Sequence, residues 1–155
     1  MAPSKTKADS GAAVSAKDLL KMVAEQEAAK AAEAMRRKKQ EEAERKAVYE
    51  SFMKPSERSD EQIMARVMLL CRNAAERGHT HVLAYRFPSK LCTDGGRAIN
   101  NSERGWESTL TGRPRQAYDF WRNRLKPLGF KLGAEILDYP GGMPGDVGFI
   151  LNWRN

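Results

Sequence analysis

The chain has 155 residues, a formal net charge of +7, 30% charged residues and two cysteines. That length carries one ordinary core with an extension rather than two independent cores, and no run of about 18 apolar residues is present to span a membrane. The cysteine count and the position of Cys71 in an apolar helical stripe exclude a secreted disulfide scaffold. Met1-Ala2-Pro3-Ser4-Lys5 leads into polar sequence with no apolar signal core. The expectation is a cytoplasmic protein that stays off membranes and whose electropositive surface favours phosphate-rich partners.

Residues 1–15 are Ser, Lys, Ala, Asp and Gly without periodicity, too little apolar surface to offset the entropy of ordering, and predict a disordered tail. Residues 16–54 contain no Gly or Pro and are dominated by Ala, Glu, Lys, Gln and Arg, which predicts a charged helical arm. Ser15 suits its N-cap, and Asp18 places negative charge at the positive end of the helix dipole. Leu19, Leu20, Met22 and Val23 lie at one end of the arm and Val48, Tyr49, Phe52 and Met53 at the other. Between them only alanines and Met35 are available, so no coiled-coil seam runs through it. Arg36-Arg37-Lys38-Lys39 precedes Glu41, Glu42 and Glu44, and Arg37–Glu41 and Lys38–Glu42 are expected to pair at i,i+4. A solvated helix accounts for this pattern. The functional alternative is a partner-docking arm, in which the apolar ends, Leu19, Leu20 and Val23 above all, seat on a protein or the four cations meet phosphates.

Pro55 ends the arm, and residues 55–155 read as one small domain, expected to unfold cooperatively from about Ser56 onward. Ser59 followed by Gln62 is a capping-box pattern; Ile63, Val67, Leu70, Cys71 and Ala74 then recur at helical spacing, and Gly78 suits the left-handed C-terminal turn, predicting a helix over 60–77. His81 to Phe87 reads as a strand with His81, Leu83, Tyr85 and Phe87 on one face. Residues 89–112, rich in Gly, Asn, Ser, Thr and charge, form a long connection of the kind that carries function. A helix begins near Pro114 with Ala117, Tyr118, Trp121 and Leu125 inward. Phe130 to Tyr139 alternates as a strand. Pro140-Gly141-Gly142-Met143-Pro144-Gly145-Asp146 is turn chemistry, and Val147, Phe149, Leu151 and Trp153 face inward from a last strand that pairs with its predecessor as a hairpin. The fold class is α+β: a long charged N-terminal helix, then a two-layer domain ordered helix-strand-helix-strand-strand.

Catalytic spacings are weak. His79 and His81 lack the further ligands a tetrahedral metal site needs. Cys92 is a loop cysteine without a base beside it. Asp94-Gly95-Gly96-Arg97 reads first as a tight turn and only second as a phosphate cradle. No cofactor, no metal and no catalytic residue is assigned. The sharpest signal is the arginine bias: from Ser59 onward eleven Arg stand against Lys90, Lys126 and Lys131. Guanidinium forks fit phosphate and carboxylate oxygens and stack on flat rings. The expected function is therefore nonenzymatic binding of RNA, DNA or a nucleoprotein through Lys90, Arg97, Arg104, Arg113, Arg115 and Arg122, with Trp106 and Phe120 available to stack on bases. The alternative is a protein-interaction adaptor using the helical arm.

Overall fold

The computed structural model describes residues 13–155, so most of the tail expected over 1–15 lies outside the described residues. Two compact units divide the chain, Met1–Arg45 and Lys46–Asn155.

Helix α1 runs Ala16–Met53. The Ser15 hydroxyl accepts from the Asp18 N–H at 3.1 Å, and Asp18 sits in the first turn, as the capping argument expects. No residue of α1 is buried, which follows from a sequence with no continuous apolar stripe. Its cations pair backwards along the helix rather than forwards: Arg36 and Arg37 both reach Glu33, not Glu41. Helical side chains lean toward the N-terminus, and a glutamate preceding its cation is the better orientation.

The second unit contains the end of α1, then α2 (Asp60–Glu76), β1 (His81–Pro88), α3 (Arg97–Asn100), α4 (Gly112–Phe120), β2 (Lys131–Ile136) and β3 (Asp146–Asn152), an α+β fold. Ser59 and Gln62 form both bonds of the capping box on α2, and Gly78 follows its end at φ +83°. The sheet has the order β1-β3-β2, with both neighbours antiparallel to β3. β3 takes the centre because it is the most apolar strand: Val147 and Phe149 are buried in one core cluster with residues of 89–112, and Leu151 in a second with Cys71 of α2 and Phe120 of α4. β2 and β3 pair as the expected hairpin. Arg86 on β1 ties this hairpin down, its Nε donating to Asp146 Oδ2 at 2.7 Å while its Nη2 lies 3.7 Å from Asp138 Oδ2.

β1 departs from simple alternation. Its register with β3 shifts between Leu83 and Tyr85. One extra residue exchanges the two faces, so Val82 and Ala84 face the core before the shift, Tyr85 and Phe87 after it, and His81 and Leu83 are exposed. The expectation that His81 and Leu83 share a face with Phe87 fails for that reason.

The segment 89–112 is not an open connection. It folds into a 3₁₀ turn (Ser89–Leu91), α3 and a second 3₁₀ turn (Trp106–Thr109), and Leu91, Cys92, Ile99 and Leu110 join Phe87, Val147 and Phe149 in one core cluster. Its two ends meet in an antiparallel bridge between Cys92 and Leu110. The Thr111 hydroxyl donates to the Leu91 carbonyl at 2.6 Å, and the Thr93 N–H to the Thr109 carbonyl at 2.8 Å. A second cluster of Cys71, Phe120, Leu125 and Leu151 lies under α2. After Phe120 the helical path widens into a π turn (Trp121–Leu125) and closes with a 3₁₀ turn (Lys126–Leu128).

The end of α1 belongs to this core. Tyr49 and Phe52 pack against the first cluster, and Gly112 lets α4 begin against them. A Cβ on Gly112 would lie 2.5 Å from the Phe52 carbonyl oxygen, and its φ of +58° is one that other residues rarely adopt. Among the described residues no helix is long and apolar enough to cross a membrane.

Candidate functional site

The cations singled out from the sequence fall into two groups. Arg113 and Arg115 are half-buried braces. The Arg113 Nε donates to the Lys54 carbonyl at 3.3 Å, and its guanidinium lies over the Phe52 ring at 5.8 Å, fastening α4 to the end of α1. The Arg115 Nη1 donates to the Glu107 carbonyl at 3.0 Å, its Nε lies 3.5 Å from Asp119, and the group sits over Tyr118. Both were expected as nucleic-acid contacts at the helix start. The five donors of a guanidinium reach backbone carbonyls that a lysine ammonium would leave unmet, and the helix start uses them. Arg97 is exposed and 3.8 Å from Glu103. Lys90, Arg104 and Arg122 are exposed, and no carboxylate approaches them within ion-pair distance among the described residues.

Of the two aromatic stacking candidates, Phe120 lies in the interior and Trp106 is half-buried. Phe120 is 8% exposed and belongs to the second core cluster, so it offers no open face to a base. The helical path widens directly after it, and Leu125 of the widened turn is buried in the same cluster. Trp106 packs edge-on against Tyr118 and lies 5.9 Å from Phe149. Asp94-Gly95-Gly96-Arg97 is the tight turn: the Asp94 carboxylate accepts from the Gly96 and Ala98 N–H groups at 3.0 and 2.8 Å, occupying the donors a phosphate would need. Cys92 is buried, and burial pushes its thiol up, with a hydrogen bond from Thr109 acting in the opposite direction. The His79 and His81 rings lie 6.3 Å apart, and no group of three His, Cys, Asp or Glu side chains gathers around a metal position among the described residues. On the arm, Leu19, Leu20 and Val23 are all exposed, as are Arg36, Arg37, Lys38 and Lys39.

A second locus was not found from the sequence. A cavity of about 460 Å³ lies between α2, α4, the Ser56–Arg58 connection and the sheet. Aliphatic side chains of Ile63, Val67, Leu125, Leu132 and Leu151 line it, and Arg58, Arg66 and Arg113 bring three guanidinium groups to it with Glu57 as the single carboxylate. Tyr85 also lines it. The Tyr85 hydroxyl is buried and is the only such side-chain atom without a hydrogen-bond partner among the described residues. Burial pushes this phenol up to about 12, with Arg113 pulling it down, so at neutral pH it stays a protonated donor. No local signal marked this locus: Arg66 lies on the exposed side of α2, outside the stripe of Ile63, Val67, Cys71 and Ala74.

No protein-family model, curated protein or solved structure matches this chain.

Proposed function

We propose that this chain is a nonenzymatic binding protein that engages nucleic acid through cations displayed by the folded 89–112 segment and the turn after α4. The observation that carries this reading is the exposure of Lys90, Arg104 and Arg122 without carboxylate partners among the described residues. Unneutralised cations release counterions from a phosphate backbone without first breaking an ion pair of their own. Arg97 contributes at the edge of this surface. Arg113 and Arg115 act indirectly by fastening α4. A cytoplasmic site of action accompanies this reading, supported by two cysteines that are both free and buried.

The test is titration of labelled RNA and DNA oligonucleotides at several salt concentrations with the parent and the triple variant Lys90→Ala, Arg104→Ala, Arg122→Ala. The log–log salt slope should become shallower by about one unit per lost contact, while thermal unfolding stays within the roughly half kcal/mol expected of surface substitutions. An unchanged slope in the folded variant removes this surface from the interface. One observation favours a second reading: Leu19, Leu20 and Val23 are more than half exposed on the arm, which suits docking on a protein. A complex of that kind would be nearly insensitive to salt and would be lost from a chain beginning at Lys46.

A further inference from the structure

We infer that the cavity under α2 binds a small amphipathic anion, its apolar body between the two helices and the sheet and its acidic head at Arg58, Arg66 and Arg113. The inference is independent of the nucleic-acid reading and uses none of its three cations.

Three features define the ligand. The volume, about 460 Å³, falls within the range of small-molecule sites and well above that of packing defects. The walls are mainly apolar, aliphatic along Ile63, Val67 and Leu132 and aromatic along Phe120, Trp121 and Phe149, and suit an acyl chain or a substituted ring. The charge at the cavity is lopsided, because three guanidinium groups face one carboxylate and no ion pair joins Glu57 to any of them among the described residues. The Gln116 amide oxygen accepts from the Ser56 N–H at 2.7 Å, which leaves its NH2 as a donor among the lining residues. Arg113 keeps guanidinium donors beyond its bond to the Lys54 carbonyl, and an anionic oxygen at the cavity would accept from them. A carboxylate and a phosphate monoester share this head-group chemistry.

The experiment is isothermal titration of the full chain with decanoate, decyl phosphate, decanol and decyltrimethylammonium, below their micelle concentrations. Decanoate and decyl phosphate should bind with dissociation constants of roughly 10 µM to 1 mM, and the neutral and cationic analogues at least tenfold more weakly. Arg58→Glu and Arg66→Glu, both at exposed positions, should each weaken decanoate about fivefold or more while leaving decanol unchanged. Ala117→Phe should fill the cavity and abolish binding of all four. Should that variant fail to fold, the two arginine variants alone decide the matter. Equal affinity for decanoate and decyltrimethylammonium, or decanoate binding untouched by both arginine variants, would overturn the inference. So would cosedimentation with phosphatidylglycerol vesicles in the absence of any decanoate binding, because it would assign these arginines to a membrane surface.

Discussion

Between Ala16 and Arg45 the chain is unbroken helix and none of its side chains is buried. Between Ser89 and Gly112 it makes only single turns, yet Leu91, Cys92, Ala98, Ile99 and Leu110 are all buried there. Regular backbone and buried side chains are separable properties. A helix satisfies its own backbone donors and acceptors and needs no core to do so, given residues of high helix propensity and local ion pairs. An irregular segment can enter a core only if its backbone groups find partners one at a time. Here Asp94, Thr93, Thr109 and Thr111 provide them. The polar residues that made the segment look like solvent-exposed loop are the ones that let it pack.

The sharpest way to break this contrast is a pair of truncations to alanine. Leu91 is fully buried among Phe87, Val147 and Phe149, and Leu91→Ala should cost about 3–5 kcal/mol by lost transfer energy and cavity formation. Met35→Ala removes a comparable side chain from the middle of α1, where it is 58% exposed, and should change stability by about 0.5 kcal/mol or less. Urea denaturation of both variants measures the difference. A loss below about 1 kcal/mol for Leu91→Ala would mean that the segment detaches from the core without consequence.

A truncation series locates where the arm's character changes within α1. A chain beginning at Lys46 keeps Tyr49 and Phe52, which pack against the first core cluster, and should unfold with the midpoint of the parent. A chain beginning at Ser56 loses both rings and the carbonyl of Lys54 that Arg113 holds, and should be less stable by about 2–4 kcal/mol. Equal midpoints for the two chains, read by thermal melting, would return the last turns of α1 to the solvated arm.

Much of this architecture could be read from residues alone, and the failures have definite causes. The capping box at Ser59 and Gln62, the hairpin across Pro140 to Asp146 and the inward face of β3 each depend on interactions within a few residues, and each appears where the pattern places it. The bulge in β1 does not, because an inserted residue is visible only once the partner strand fixes the register. The burial of 89–112 depends on contacts to β3, some fifty residues away, and hydrophobic periodicity cannot register scattered single residues. The cavity illustrates a third kind of limit. Arg58, Arg66, Tyr85 and Arg113 come from the α1–α2 connection, α2, β1 and α4 and converge only in three dimensions. For Arg113 and Arg115 the residue type was informative but the partner was not: a guanidinium suited to phosphate is equally suited to a backbone carbonyl.

The smallest expected effect probes what holds the arm in place of a core. Glu33 pairs with both Arg36 and Arg37, and all three side chains are about half exposed or more. Exposed helix pairs contribute about 0.3–0.5 kcal/mol each, and salt screens them over a Debye length of about 8–10 Å. Glu33→Gln keeps the side chain's length and helix propensity while removing its charge, so any change reports the pairs themselves. Amide hydrogen exchange around Arg36 should lose about twofold in protection at low salt and almost nothing at about 1 M salt, where the pairs are already screened. The cooperative transition of the Lys46–Asn155 unit should not move, since Glu33 lies outside that unit in a helix with no buried residue. A shift of that transition by several degrees would show that the charged helix and the packed domain unfold as one body, and the separation of regular structure from burial drawn between these two regions would then hold for the geometry but not for the energetics.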